Sequence, residues 1–246
     1  MPNATSARHA LRALTHLASR AEPIPAAHLA RALDLPRSST YHLLTVLVEH
    51  GYVVHYAEER TYGIGAAVHE LGAGYQRQDP LQRLARPLVE RLVDATTHNA
   101  HLAVLSGRDV LYVIEERAPR RPSLVTDVGV RLPATLTASG LAMLAALPRR
   151  QVTALYPSAS VMVGGGPATP SALRRLLVDV RAREYAVEAG SVSPDLSSVA
   201  SAVLDRDGHP VAAVALTYRT DDVDEGGSAC LAQAAAETAT RISQRL

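Results

Sequence analysis

Six consecutive residues, Arg37, Ser38, Ser39, Thr40, Tyr41 and His42, set one long cation and a run of short hydrogen-bonding side chains at the head of an apolar stretch. Such groups have two uses. Serine and threonine can cap the free N–H groups of a helix start. Held outward on a helix, the same groups can read DNA: a guanidinium fork fits guanine O6 and N7, and hydroxyl or imidazole groups reach bases or phosphates. An ordinary exposed helix would carry better helix formers there, such as Glu, Lys, Gln or Ala. Catalytic arrangements are poorer. Ser139 lacks the glycine two residues before it that a nucleophile elbow requires. His98 and His101 are spaced i, i+3 with no clustered carboxylate or cysteine, so a structural role is expected over metal binding. No Lys-Ser or Lys-Thr follows Gly164-Gly165-Gly166, which leaves a flexible turn rather than a phosphate loop.

The elements around the polar run decide between capping and recognition. Ala26 to Leu33 reads as a short helix with Leu29, Ala30 and Leu33 on one stripe. Asp34-Leu35-Pro36 breaks it, and the proline suits the first turn of a second helix running to about His50. Gly51 closes that helix. Tyr52 to Tyr56 and Thr61 to Ile64 read as two strands joined by a turn at 57–60, with Arg60 at its tip. Two helices followed at once by a hairpin form a winged helix-turn-helix. Ahead of them, Ser6 to Arg20 reads as a helix with Ala10, Leu11, Leu14, Leu17 and Ala18 on one stripe. The expected small core is Leu11, Leu14, Leu17, Leu29, Leu33, Leu43, Leu44 and Leu47, with Ile24 as its plug.

Composition sets the limits. The chain has 246 residues, 47% of them hydrophobic, and a mean hydropathy of +0.02. That suits a globular protein of one large or two small domains. No apolar run approaches the roughly 20 residues of a membrane span, and the first residues lack a signal-peptide core, so a cytoplasmic location is expected. The single cysteine, Cys230, allows no internal disulfide and is expected to be buried. All 25 basic residues are arginine, which reflects codon usage rather than chemistry. Residues 1–75 hold six arginines against six carboxylates, so affinity for phosphate has to come from placement, not bulk charge.

Helices are expected at Ala66–Gln78 and Pro80–Thr97, with the domain boundary at Gln76–Asp79. The pattern then changes. Strands are expected at 100–105 and 110–116, with a short one near Ser123–Asp127. Helices follow at 135–146, 149–156 and 170–185, then strands at 186–189, 197–204 and 211–218 and a last helix over 224–246. This order gives an antiparallel sheet with helices outside it.

The stretch LPRSSTYHLLTVLVEHGYV with its YGIG wing end resembles the N-terminal half of the IclR family of bacterial transcription regulators. LPATLTASGLAMLAAL and, more loosely, EYAVEAGSVSPDLSSVASAVLDRDGHPVAAVALT are similar to that family's effector domain, a GAF-like sensor. The likeness spans nearly the whole chain. It implies an α+β protein: a winged helix-turn-helix domain at 1–75, a linker at 76–80 and a GAF-like effector domain at 81–246 with an antiparallel sheet flanked by helices. It implies a ligand-responsive regulator, a repressor, acting as a homodimer or dimer of dimers on a double-stranded, pseudo-palindromic operator. Arg37, Ser38, Ser39, Thr40, Tyr41 and His42 would enter the major groove, and Arg60 would reach the backbone or minor groove. A small-molecule effector, an organic acid or aromatic compound, would meet Thr135, Thr137, Ala138 and Ser139 at a helix start, then Glu188 and Ser198, then Ala215 and Thr217. Two departures bear on that ligand: the family's usual lysine in the first motif is Leu141, and its frequent cysteine in the second is Ser198. Glu188 would repel a carboxylate unless the ligand also offers a donor.

No catalytic residue, cofactor or metal is expected. The competing reading is a small hydrolase or transferase built on residues 80–246, with the N-terminal module binding protein or dimerising. A nucleophile with a base three or four residues away would favour it, and none occurs.

Overall fold

The computed structural model describes residues 3–71, 80–119 and 127–246. It divides into two compact units, Met1–Asp79 and Pro80–Leu246. The expected Gln76–Asp79 boundary and most of the strand expected at Ser123–Asp127 lie outside the described residues, as does the second half of the helix expected at Ala66–Gln78.

The first unit holds helices α1 (Asn3–Ala18), α2 (Ala26–Leu33) and α3 (Arg37–Glu49), strands β1 (Ile24–Pro25), β2 (Val53–Tyr56) and β3 (Thr61–Ile64), and a helix α4 described over 66–71. Ala13, Leu17, Leu29, Leu33, Leu44, Leu47 and Val53 are its buried centre. One expected core residue is not there: Leu11 is 67% exposed. The buried stripe of α1 runs Ala10, Ala13, Leu14 and Leu17, and at 100° per residue Leu11 falls outside it. The three strands form one antiparallel sheet in the order β1-β3-β2. Ile24 does pack against the core, and it also pairs with Tyr62 as a strand that composition alone did not suggest.

Two junctions hold the motif. Asp34, at φ 56°, ends α2 in the left-handed region that Asp tolerates. Gly51, at φ +72°, ends α3: its N–H meets the carbonyl of Val48, and the N–H of Tyr52 meets that of Leu47 at 2.9 Å. This doubly bonded stop reverses the chain into the wing. Gly65 lies against it so closely that a Cβ there would sit 2.1 Å from the Gly51 carbonyl oxygen.

The second unit is a six-stranded antiparallel sheet in the order β6-β5-β4-β9-β8-β7. Its strands are β4 (Asn99–Ser106), β5 (Asp109–Glu116), β6 (Arg131–Pro133), β7 (Ala186–Ala189), β8 (Leu196–Leu204) and β9 (Pro210–Arg219). Its helices are α5 (Pro80–Thr96), α6 (Ala138–Ala146), α7 (Arg149–Leu155), α8 (Pro170–Arg183) and α9 (Glu225–Ser243). Alternation along the strands sorts the two faces. Leu102, Val199, Val214 and Leu216 face α5 and α9. Ala103, Ala200, Ala213 and Ala215 face α6 and α8. Alanine on that second face lets α6 approach closely. Residues 138–145 of α6 are all buried, as befits a helix apolar on every side, so α6 is an inner helix rather than an outer one. Cys230 is exposed on α9, not buried; the helix turns Leu231, Ala232 and Ala235 inward instead.

Candidate nucleic-acid interface and effector pocket

Helix α3 packs its Thr40, Leu44 and Leu47 inward. Arg37, Ser38, Ser39, Tyr41 and His42 are exposed, and so is Arg60 in the wing turn. Thr40 is the exception among the expected contacts: it is 0% exposed, and its hydroxyl donates to the Pro36 carbonyl at 3.1 Å. The reason is periodicity. Thr40 lies four residues before Leu44 and seven before Leu47, on the core stripe, so it cannot reach a base edge. Thr45, one turn beyond Tyr41, lies on the exposed side instead and was missed because it sits among apolar residues.

The capping alternative finds no support. Pro36 occupies the cap position of α3, and no side chain caps it. Among the described residues the side chains of Ser38 and Ser39 make no hydrogen bond and Arg37 makes no ion pair. The two wing strands carry an aromatic pair across them. His55 stacks on Tyr62 with ring centroids 4.5 Å apart. Tyr41 is close enough to Tyr62 to add to the rise that burial gives its phenol pKa.

The second unit encloses a cavity between the sheet and the start of α6, with about 430 Å³ of atom-free space, its mouth included. Seven of the expected effector residues line it: Thr137, Ala138, Ser139, Glu188, Ser198, Ala215 and Thr217. Thr135 does not. It is buried in a short 3-10 turn, Ala134–Leu136, because α6 begins at Ala138, three residues later than expected. Thr137 is the cap: its Oγ1 accepts from the Gly140 N–H at 3.0 Å. Ser198 and Thr217 face each other across β8 and β9, hydroxyl to hydroxyl at 2.9 Å. Glu188 is held by its own loop. Its Oε1 accepts from the backbone N–H groups of Ser191 at 2.5 Å and Val192 at 3.3 Å. Burial still raises its pKa, with those bonds opposing.

His101, Tyr112, Val192, Ser193 and Leu196 also line the cavity and were not foreseen. His101 pairs with Ala215, and paired residues share a face, so the register of β4 with β9 would have located it. Its ring meets Tyr112 edge-on at 5.5 Å. Burial, helped by the charge of Arg117, pushes the His101 pKa from 6.5 down to about 4, so the imidazole is neutral near pH 7.

That shift has a sign for stability. A group whose folded pKa is depressed adds stability that is complete above its unfolded pKa, here 6.5, and is lost as pH falls toward the folded value. At about 1.4 kcal/mol per pH unit, lowering pH from 7.5 to 5 should remove about 2 kcal/mol through this residue. Denaturant unfolding at the two pH values should show that drop in the wild type. His101→Gln should lack that component; an equal pH dependence in both would contradict the assignment.

Comparison with known proteins follows the same two units. Residues 6–55 match the family model for the IclR helix-turn-helix domain, and residues 73–244 match that for the bacterial transcriptional regulator IclR C-terminal region. The Pca regulon regulatory protein of Pseudomonas putida is 27% identical over 213 residues, covering 85% of this chain and 72% of that protein. The transcriptional repressor IclR of Escherichia coli K12 is 24% identical over 217 residues, covering 84% and 77%. Among solved structures, an IclR homolog from Microbacterium hydrocarbonoxydans complexed with 4-hydroxybenzoate superimposes with a TM-score of 0.79 at 22% identity, over 97% of this chain and 98% of that one. Among the described residues no helix is long and apolar enough to cross a membrane.

Proposed function

The chain belongs to the IclR family of bacterial transcriptional regulators, and on that premise we propose that it represses transcription by inserting the outward face of α3 into the major groove of an operator. Arg37, Ser38, Ser39, Tyr41 and His42 read bases and phosphates, and Arg60 holds the wing to the DNA backbone. The observation that carries this reading is the polar face of α3, which is exposed and takes no part in capping. Two copies of the chain, as a homodimer or a dimer of dimers, place two such helices on a pseudo-palindromic site. The exposed Leu11 and Leu71 of the first unit favour such pairing.

The cavity of the second unit is the effector site in this reading. Its polar groups converge within an apolar shell, as in small-molecule sites generally. The effector biases DNA affinity through its different affinity for two states of the protein, a coupling of about 1–3 kcal/mol. The catalytic alternative on residues 80–246 has no supporting observation. Binding to DNA upstream of the chain's own gene tests the reading. Arg60→Ala should weaken binding to all sequences alike and reduce the slope of log K against log salt by about 1. An unchanged slope would remove Arg60 from the interface.

A further inference from the structure

His98, between α5 and β4, is a buried side chain with one nitrogen unmet. It is 9% exposed, and its Nδ1 lies 2.7 Å from the Thr96 carbonyl oxygen. A carbonyl can only accept, so Nδ1 carries the proton and the neutral ring leaves Nε2 as a bare acceptor. Among the described residues Nε2 is buried without a hydrogen-bond partner. A buried orphan of this kind costs stability, and a ligand that meets it recovers that cost.

His98 lines an open cleft at the start of α9, about 900 Å³ with the solvent in its mouth included. The cleft shares no lining residue with the effector cavity. It opens beside Val223 and Leu231, which pack into the core under α5 and α9, on the other face of the sheet from α6. Asp221, Asp222 and Asp224 line it with His98, and so does the exposed Cys230. The Asp221 carboxylate takes part in no hydrogen bond or ion pair among the described residues. Asp224 has one oxygen engaged: its Oδ1 accepts from the Gly227 N–H at 2.7 Å. Among the described residues no arginine lines the cleft, and the chain contains no lysine. Three carboxylates therefore share this cleft with an unmet nitrogen lone pair and with no cation.

We propose that this cleft binds an organic cation bearing N–H groups, an alkyl ammonium or a guanidinium, which donates to His98 Nε2 and sets its charge among Asp221, Asp222 and Asp224. Nε2 and the three carboxylates are all acceptors, so the occupant has to be a donor, and the carboxylates favour a positive one. An anion is repelled. A bare metal ion finds too few ligands, since among the described residues no three metal-ligating side chains converge. Nε2 is covered while the cleft is empty, so binding has to part the side chains over it. A slender ammonium group does that more readily than a trimethylammonium, which also has no proton to donate. The charge can belong to a free amine or to an arginine of a second copy of the chain; the chemistry of the site is the same for both.

Calorimetric titration of the full chain at constant ionic strength tests this with three probes of one length: putrescine, its fully N-methylated diammonium, and butanediol. Putrescine should bind at least about tenfold more tightly than either analogue, because the methylated one keeps the charge without the donor and the diol keeps a donor without the charge. His98→Asn, which can still donate to the Thr96 carbonyl but has no Nε2, should bring putrescine close to the methylated analogue. Asp221→Asn, at an exposed position where folding is not at risk, should weaken putrescine about threefold. Alkylation of Cys230, the chain's single cysteine, should slow when putrescine is bound and not in butanediol. Sedimentation of the same samples separates the two sources. Putrescine that dissociates the protein shows an arginine of a second copy in the cleft, and an unchanged mass shows a free amine; each supports the proposal. No binding of putrescine, equal affinity for the methylated analogue, an affinity unmoved in Asp221→Asn, or unaltered Cys230 alkylation would each overturn it.

Discussion

Arg37→Ala should weaken binding to the operator at least about tenfold, the scale of one lost bidentate contact to guanine. Arg37 is the first residue of α3, exposed and without an ion pair among the described residues. Its removal should therefore leave thermal stability within about 0.5 kcal/mol of wild type. Discrimination among operator variants should relax at one base pair rather than everywhere, which separates a base contact from a phosphate contact. Thr40→Val supplies the contrast. Thr40 points into the core and bonds Pro36, so its loss should cost about 1 kcal/mol of stability and leave DNA affinity almost unchanged. Fluorescence anisotropy titrations of both variants at one salt concentration would decide. Unchanged affinity in Arg37→Ala would remove this residue from the interface.

Gly140→Ala should destabilise the second unit more than any single change on the DNA-binding face. A Cβ at Gly140 would lie 2.2 Å from the Ala134 carbonyl oxygen and 2.4 Å from the Ala134 Cα. Both are backbone atoms and cannot swing aside as a flexible side chain would. The turn before α6 or α6 itself has to shift, within a core already closed on all sides. The expected cost is about 3 kcal/mol or more, which for a unit of this size lowers the midpoint of thermal unfolding by roughly 6–12 °C. The same shift moves the Ala138 and Ser139 end of the cavity, so ligand binding should fall together with stability. A loss below about 1 kcal/mol would contradict so close an approach of α6 to Ala134.

Local signals carried much of this architecture. Helix α2 was legible because an apolar stripe runs through it and an Asp-Leu-Pro break ends it. The wing was legible from Gly51 and from alternation in its strands. What failed was anything set by the direction a side chain takes. Thr40 reads as one of six polar residues in a row, yet helical phase puts it in the core. Leu11 reads as core, yet α1 turns it outward. Cys230 is apolar enough to bury, yet it falls on the outer side of α9. The cavity shows the same limit. Thr137, Ser139 and Glu188 came from resemblance to a family. His101 and Tyr112 come from β4 and β5, whose place in the sheet depends on pairing with strands far along the chain. Long-range register of that kind leaves no local mark on composition or periodicity.

The central claim is that the outward side of α3 recognises a particular DNA sequence. Its most direct test is an anisotropy titration of the full chain, at physiological salt, against the DNA upstream of its own gene and against a scrambled duplex of equal length and composition. The upstream DNA should bind at least about a thousandfold more tightly, the lower end of operator-type specificity. Equal affinity for the two duplexes would contradict it.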